Sequence, residues 1–157
     1  MDKRTVDKII KKYNSDSREV LEMLLDIQKE ERYLPRKALE HLAEKLNLPM
    51  AKLYRIATFY EGLSLKPLGG CQIHVCTGTA CHVRGASKIL DEFEHQLGIK
   101  PGEVTPDLNF SLKTVNCVGA CALGPVVTVN DEHCGNMSTL KIDKIIRQNK
   151  EKKKKQA

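Results

Sequence analysis

The sequence predicts an α+β chain: an N-terminal helical bundle over residues 1–62, a linker over 63–70, and a small α/β domain over 71–149. Three observations predict it. Apolar residues recur at helical spacing between Val6 and Ala57, and the pattern turns to alternation at Cys71. Two cysteine pairs then follow alternating runs, each pair in a loop of small residues. Residues 150–157 are expected to form a disordered Lys-rich tail.

Within the bundle, Val6, Ile9, Ile10 and Tyr13 stand at i, i+3, i+4 and i+7, which marks a first amphipathic helix. Ser15 to Ser17 supplies turn and capping chemistry ahead of Val20, Leu21, Leu24, Leu25 and Gln28, a second helix packed antiparallel on the first. Pro35 opens a third, since a missing N–H costs nothing in a first helical turn. Its apolar face is Ala38, Leu39, Leu42, Ala43 and Leu46, with Asn47 as the stop. Leu48-Pro49 repeats the entry and launches a fourth helix with Met50, Leu53, Tyr54 and Ala57 inward.

Pro67 and the pair Gly69-Gly70 break the helical pattern. Beyond them, Cys71, Ile73 and Val75 share one strand face, and the strand ends at Cys76. Ala86, Ile89, Leu90, Phe93 and Leu97 form an amphipathic helix closed by Gly98. Phe110, Leu112 and Thr114 alternate again, a second strand ending just before Cys117. Strand, helix, strand in one sheet is a parallel crossover, and it brings the C-terminal ends of both strands to one sheet edge. The two cysteine loops therefore emerge side by side, although 36 residues separate Cys81 from Cys117 (117 − 81). Val126 to Val129 is a third strand, Asn130-Asp131 a turn, and His133 to Met137 a short fourth. Ser138 caps a last helix that buries Ile142, Ile145 and Ile146. The order βαβ-β-β-α is a thioredoxin-like arrangement.

Composition narrows the function classes. With 29% charged and 41% hydrophobic residues the chain reads as globular rather than disordered. The net charge of +6 owes five of its 26 basic residues to Lys150 and Lys152–Lys155, so it does not point to nucleic acid. A helix-turn-helix in the bundle would present Lys52, Arg55 and Thr58, but without a flanking basic stripe. No apolar run reaches the roughly 18 residues of a membrane span and no signal segment is visible, so direct membrane insertion is not expected. The expected setting is the cytoplasm, where clustered cysteines are metal ligands more often than disulfides. No G-x-G-x-x-G or Walker loop occurs, so this chain should bind no nucleotide itself.

The chemistry therefore rests on Cys76 and Cys81, in Cys76-Thr77-Gly78-Thr79-Ala80-Cys81-His82, and on Cys117 and Cys121, in Cys117-Val118-Gly119-Ala120-Cys121. An iron–sulfur cluster takes four thiolates, and small loop residues let backbone N–H groups turn toward sulfur. Zinc also accepts four thiolates, usually on tighter C-x2-C knuckles. A Rieske centre would need a histidine in each loop, and only His82 is available, which reads instead as a loop residue or supporting donor. No C-x-x-C pair opens a helix, which argues against a dithiol oxidoreductase. Cys71 and Cys134 lie outside both loops and read as packing residues.

At these residues the chain resembles the thioredoxin-like [2Fe-2S] subunit family, the NuoE-type subunit of NADH:quinone oxidoreductase. Related subunits occur in NAD(P)-linked [FeFe]-hydrogenases and in formate dehydrogenases. The resemblance is carried by Tyr33-Leu34-Pro35, Ala57-Thr58-Phe59-Tyr60, the run from Cys76 to Ala86 and the run from Cys117 to Val127, and it spans nearly the whole chain to Ile146. Cys134, where the family often has an aromatic residue, and Gly124, where alanine is usual, depart from the pattern.

The resemblance implies one [2Fe-2S] cluster on Cys76, Cys81, Cys117 and Cys121, and a one-electron carrier with no catalytic residues of its own. It also implies a NuoF-like partner subunit holding FMN and NAD(P), with further Fe–S or hydrogenase subunits beyond it. The form Gly-Thr-Ala-Cys-His-Val-Arg-Gly-Ala is most similar to hydrogenase-associated members, which favours a bifurcating or NAD(P)-reducing hydrogenase. Because a bundle this small has a thin core, it is expected to pack on the partner, with Phe59-Tyr60 as the candidate interface.

Overall fold

The computed structural model describes residues 3–130 and 132–154. The chain divides into two compact units, the first ending at Leu68 and the second beginning at Gly69.

The first unit contains α1 (Lys3–Lys12), α2 (Val20–Glu31), α3 (Arg36–Leu46) and α4 (Met50–Phe59), with a 3-10 turn at Ser17–Glu19. The turn is capped by Asp16, whose Oδ1 accepts from the Arg18 N–H at 2.9 Å. Pro35 and Pro49 stand at the N-caps of α3 and α4. Asn47 stops α3 in a left-handed conformation at φ 50°, which a short amide side chain tolerates.

Val6, Ile9, Leu24, Leu39, Leu42 and Leu53 make the centre of the bundle. Each such fully buried side chain contributes about 1.5–3 kcal/mol relative to exposure. In α2 the buried stripe is Val20, Met23, Leu24 and Ile27, while Leu25, expected inward, is 40% exposed. Both stripes have helical spacing, and packing against α1 and the Leu34 side settled the phase. His41 is a polar member of this interior: its Nε2 meets Asp7 Oδ1 at 2.8 Å. That hydrogen bond holds the Asp7 carboxyl below its usual range.

The segment expected as a linker folds back on the bundle as far as Leu68. Leu63 is buried, Ser64 N–H donates to Gln28 Oε1 (2.6 Å), Gln28 Nε2 donates to Gly62 O (2.5 Å), and Leu34 N–H donates to Ser64 O (2.7 Å). One side-chain amide thus satisfies both polar groups of a short turn.

The second unit is a mixed sheet of order β2-β1-β3-β4, where β1 is Cys71–Cys76, β2 Phe110–Val115, β3 Val127–Val129 and β4 Glu132–Cys134. Three helices accompany it: α5 (Thr79–Val83), α6 (Ala86–Leu97) and α7 (Thr139–Lys154). Strands β1 and β2 run parallel, from Cys71 opposite Phe110 to Cys76 opposite Val115. Strand β3 pairs antiparallel with β1 and with β4. Ile73, Val75, Phe93, Leu112, Val127 and Ile142 form the core between sheet and helices.

Gly69 enters the unit where a Cβ would strike the backbone of Phe110 and Ser111, so only glycine fits. Gly98 closes α6 at φ 67° as expected. Asn130, at φ 54°, turns the chain so tightly that β4 begins at Glu132 and ends at Cys134, earlier than the alternation suggests. At the start of α7, Lys141 N–H donates to the Ser138 carbonyl at 3.0 Å. That helix continues to Lys154, so the stretch expected as a tail is helical to that residue, and residues 155–157 lie outside the described set.

Candidate metal centre

Both cysteine loops leave the sheet at the same edge, because their strands are parallel neighbours. Thr77 ties the two exits together: its N–H and Oγ1 both donate to Val115 O, at 2.9 and 3.2 Å. On the other side, Cys76 N–H donates to Val126 O at 3.1 Å. Immediately after Thr77 the chain winds into α5, which carries Cys81. The sequence pattern predicts a plain loop there, since five residues are too few for any periodicity to betray a helix.

Cys76 and Cys81 are buried with Ala86 and Val126, and Val115, Val118 and Ala120 pack against them. Cys117 and Cys121 are exposed. The second loop ends in a 3-10 turn at Cys121–Leu123, followed by a cis Gly124-Pro125 bond. All six cysteines are free thiols.

The sulfur environment is one of backbone donors. Burial pushes the Cys76 thiol up, but N–H groups of Gly78 and Val118 together with the Cys81 and Cys117 thiols outweigh it, leaving Cys76 below an ordinary thiol. Cys76 therefore sits where the two loops meet. Burial raises the Cys81 thiol, Cys76 and the charge of Cys121 push the same way, and the Val126 N–H opposes them. Cys117 Sγ accepts from the Gly119 N–H at 3.3 Å. Two glycines make the approach close: a Cβ at Gly78 would lie 2.8 Å from Asn116 O, and one at Gly124 would lie 3.3 Å from Cys81 Sγ.

Four thiols in two loops, N–H groups aimed at sulfur, and an apolar floor suit an iron–sulfur cluster. Among the described residues no group of three or more His, Cys, Asp or Glu side chains is arranged to hold a single metal ion. A binuclear cluster divides its thiolates between two irons and so asks for two pairs, one arrangement that two separate loops provide.

The remaining candidates lie elsewhere. His82 is on α5 with its Nδ1 3.2 Å from Ser87 Oγ. Cys71 is buried in the core of the sheet. Cys134 is half-buried at the end of β4, where burial raises its thiol, Glu132 adds to the rise and Lys141 opposes it. One residue near the loops has a role that the sequence pattern does not announce. Arg84 Nη1 donates to the carbonyls of Cys121, Ala122 and Gly124, at 3.0, 3.2 and 3.4 Å. Its only trace in the sequence is a cation three residues beyond Cys81.

The family model of the thioredoxin-like [2Fe-2S] ferredoxins matches residues 6–150. The chain belongs to this family. An NADH-quinone oxidoreductase component of the NuoE type from Rickettsia bellii is 40% identical over 141 residues, covering 88% of this chain and 84% of that protein. The HndA component of the NADP-reducing hydrogenase of Solidesulfovibrio fructosivorans is 41% identical over 114 residues, covering 73% and 67%. Among solved structures, an NAD+-reducing [NiFe]-hydrogenase in the air-oxidised state matches with a TM-score of 0.71 at 22% identity, over 82% of this chain. That likeness is one of fold, and this chain spans 23% of the length of the hydrogenase chain. Members of the family carry a [2Fe-2S] cluster. No helix among the described residues is long and apolar enough to cross a membrane.

Proposed function

We propose that this chain is a one-electron carrier whose [2Fe-2S] cluster is held by Cys76, Cys81, Cys117 and Cys121, working within a multisubunit NAD(P)-linked oxidoreductase. The observation that carries the ligand reading is Cys76, a buried sulfur with N–H donors from both loops and thiols from both loops beside it. When bound, the cluster supplies a site that holds a single electron, whereas a nicotinamide releases two as hydride and a flavin can divide them. The chain's own residues do the rest. Ala86 and Val126 exclude water beneath the sulfurs, and Gly78, Val118, Gly119 and Val126 aim N–H groups at them.

The partner in this reading is a subunit that binds FMN and NAD(P)H, and the parent complex is a hydrogenase or a NADH:quinone oxidoreductase. Relatives bearing both names, at 41% and 40% identity, support the class common to the two. The run Thr79-Ala80-Cys81-His82-Val83-Arg84-Gly85 favours the hydrogenase. For docking, the first unit offers Phe59, 78% exposed, and Tyr60, beside a groove of about 650 Å³ bordered by Lys52, Arg55 and Thr58. The unit ending at Leu68 acts as the docking domain and the unit from Gly69 as the redox domain. Six free thiols accord with a cytoplasmic, reducing setting.

The test is a visible and EPR spectrum of anaerobically purified chain, oxidised and dithionite-reduced, with iron, sulfide and zinc quantified. The expected result is a set of visible bands that bleach on reduction, about two irons per chain and a spin-one-half signal. A colourless chain with about one zinc would replace the carrier by a structural metal site.

A further inference from the structure

We propose that Arg84 is a positioning residue that clamps the second cysteine loop onto the first and sets both the retention of the cluster and its reduction potential; this rests on the ligand reading above. Arg84 follows α5 directly, and its backbone N–H donates to Ala80 O at 3.3 Å, which fixes the stem of the side chain to the Cys81 turn. The other end reaches across. Its Nη1 donates to the carbonyls of Cys121, Ala122 and Gly124, so one nitrogen gathers three acceptors from the end of the second loop. Its Cδ lies 3.4 Å from the place a Gly124 Cβ would take, and the Cys81 sulfur lies 3.3 Å from the same point.

The guanidinium thus spans the seam between a loop with two buried thiols and a loop with two exposed ones. Cys121 is exposed and lies in a 3-10 turn, and carbonyls at such a turn need donors from outside it. Arg84 supplies them. It also supplies a permanent positive charge, because a guanidinium stays protonated at any pH of interest. A reduced cluster carries one more negative charge than an oxidised one, so a fixed cation beside the ligand loops favours reduction and raises the potential.

The experiment uses the full chain as parent, Arg84→Gln and Arg84→Lys, each reconstituted with iron and sulfide. Iron release to a chelator and the midpoint potential from an EPR-monitored titration are the readouts. Gln removes the charge and the reach, so release should quicken about ten-fold, in line with the loss of a residue that supports metal ligands, and the potential should fall. Lys keeps the charge but lacks the guanidinium fork, so release should quicken while the potential stays at the parent's value. Parental release in Arg84→Lys, or a parental potential in Arg84→Gln, overturns the proposal. Should Arg84→Gln fail to fold, faster release at parental potential in Arg84→Lys supports the clamp and parental release there overturns it. A parent chain that holds no iron, or that keeps its cluster in Cys81→Ser, instead overturns the ligand reading itself.

Discussion

The two cysteine loops leave neighbouring strands at the same sheet edge, yet they are built in opposite ways. The first winds at once into α5 and buries both Cys76 and Cys81, each about 2% exposed. The second leaves Cys117 and Cys121 exposed, and hydrogen bonds from Gly119 and Arg84 steady it. The first loop is a floor and the second a cover. A thiol in the floor is surrounded by atoms that cannot move without breaking the core, whereas one in the cover can shift with its loop. An exposed sulfur edge is also the side that a redox partner can approach.

The largest expected effect is at the ligand sulfurs. Cys81→Ser should abolish the cluster, because alkoxide is a poor substitute for thiolate and the buried position cannot adjust. Cys121→Ser, in the exposed cover, should retain iron with an altered visible spectrum. Equal loss of iron in both variants would erase the distinction between floor and cover.

A smaller effect separates the loop glycines. Gly78→Ala places a Cβ 2.8 Å from Asn116 O and should cost about 1–3 kcal/mol in denaturant unfolding of the unit from Gly69, as overpacking does. Gly119→Ala meets no neighbour within 4 Å and suffers only its φ of +79°, worth about 1–2 kcal/mol. If Gly119→Ala proved the more damaging, the cover would be the stiffer loop. The smallest effect belongs to Cys71→Ser and Cys134→Ser, which should leave the spectrum and iron content of the parent unchanged.

Local rules carried much of this structure. Asn47 and Gly98 stop their helices in left-handed conformations, and alternation from Cys71 marks β1 to the residue. The parallel pairing of β1 and β2 also follows from pattern, since a helix between two strands leaves few other connections. What escaped was decided by contacts between distant residues. The phase of α2 turned on Met23 and Ile27 rather than Leu25, a choice that only the neighbouring helices could make. Residues 63–68 read as a linker because the anchor of Ser64, Gln28, lies 36 residues away in sequence (64 − 28). Arg84 escaped for the same reason, with its three acceptors 37 to 40 residues downstream.

The sheet order has a consequence for the chain as it is made. Strand β1 lies between β2 and β3, and both of its neighbours are synthesised after it. The register joins Cys71 to Phe110, so a stretch of 39 residues (110 − 71) must close before the first ladder forms. Closing it costs entropy that grows as about 1.5 RT ln n. Until Val129 has left the ribosome, Cys76 and Cys81 have no floor around them, and their thiols stand open to any metal or oxidant. The buried pair is thus the vulnerable pair during synthesis, and the order of exposure in the nascent chain is the reverse of that in the finished fold.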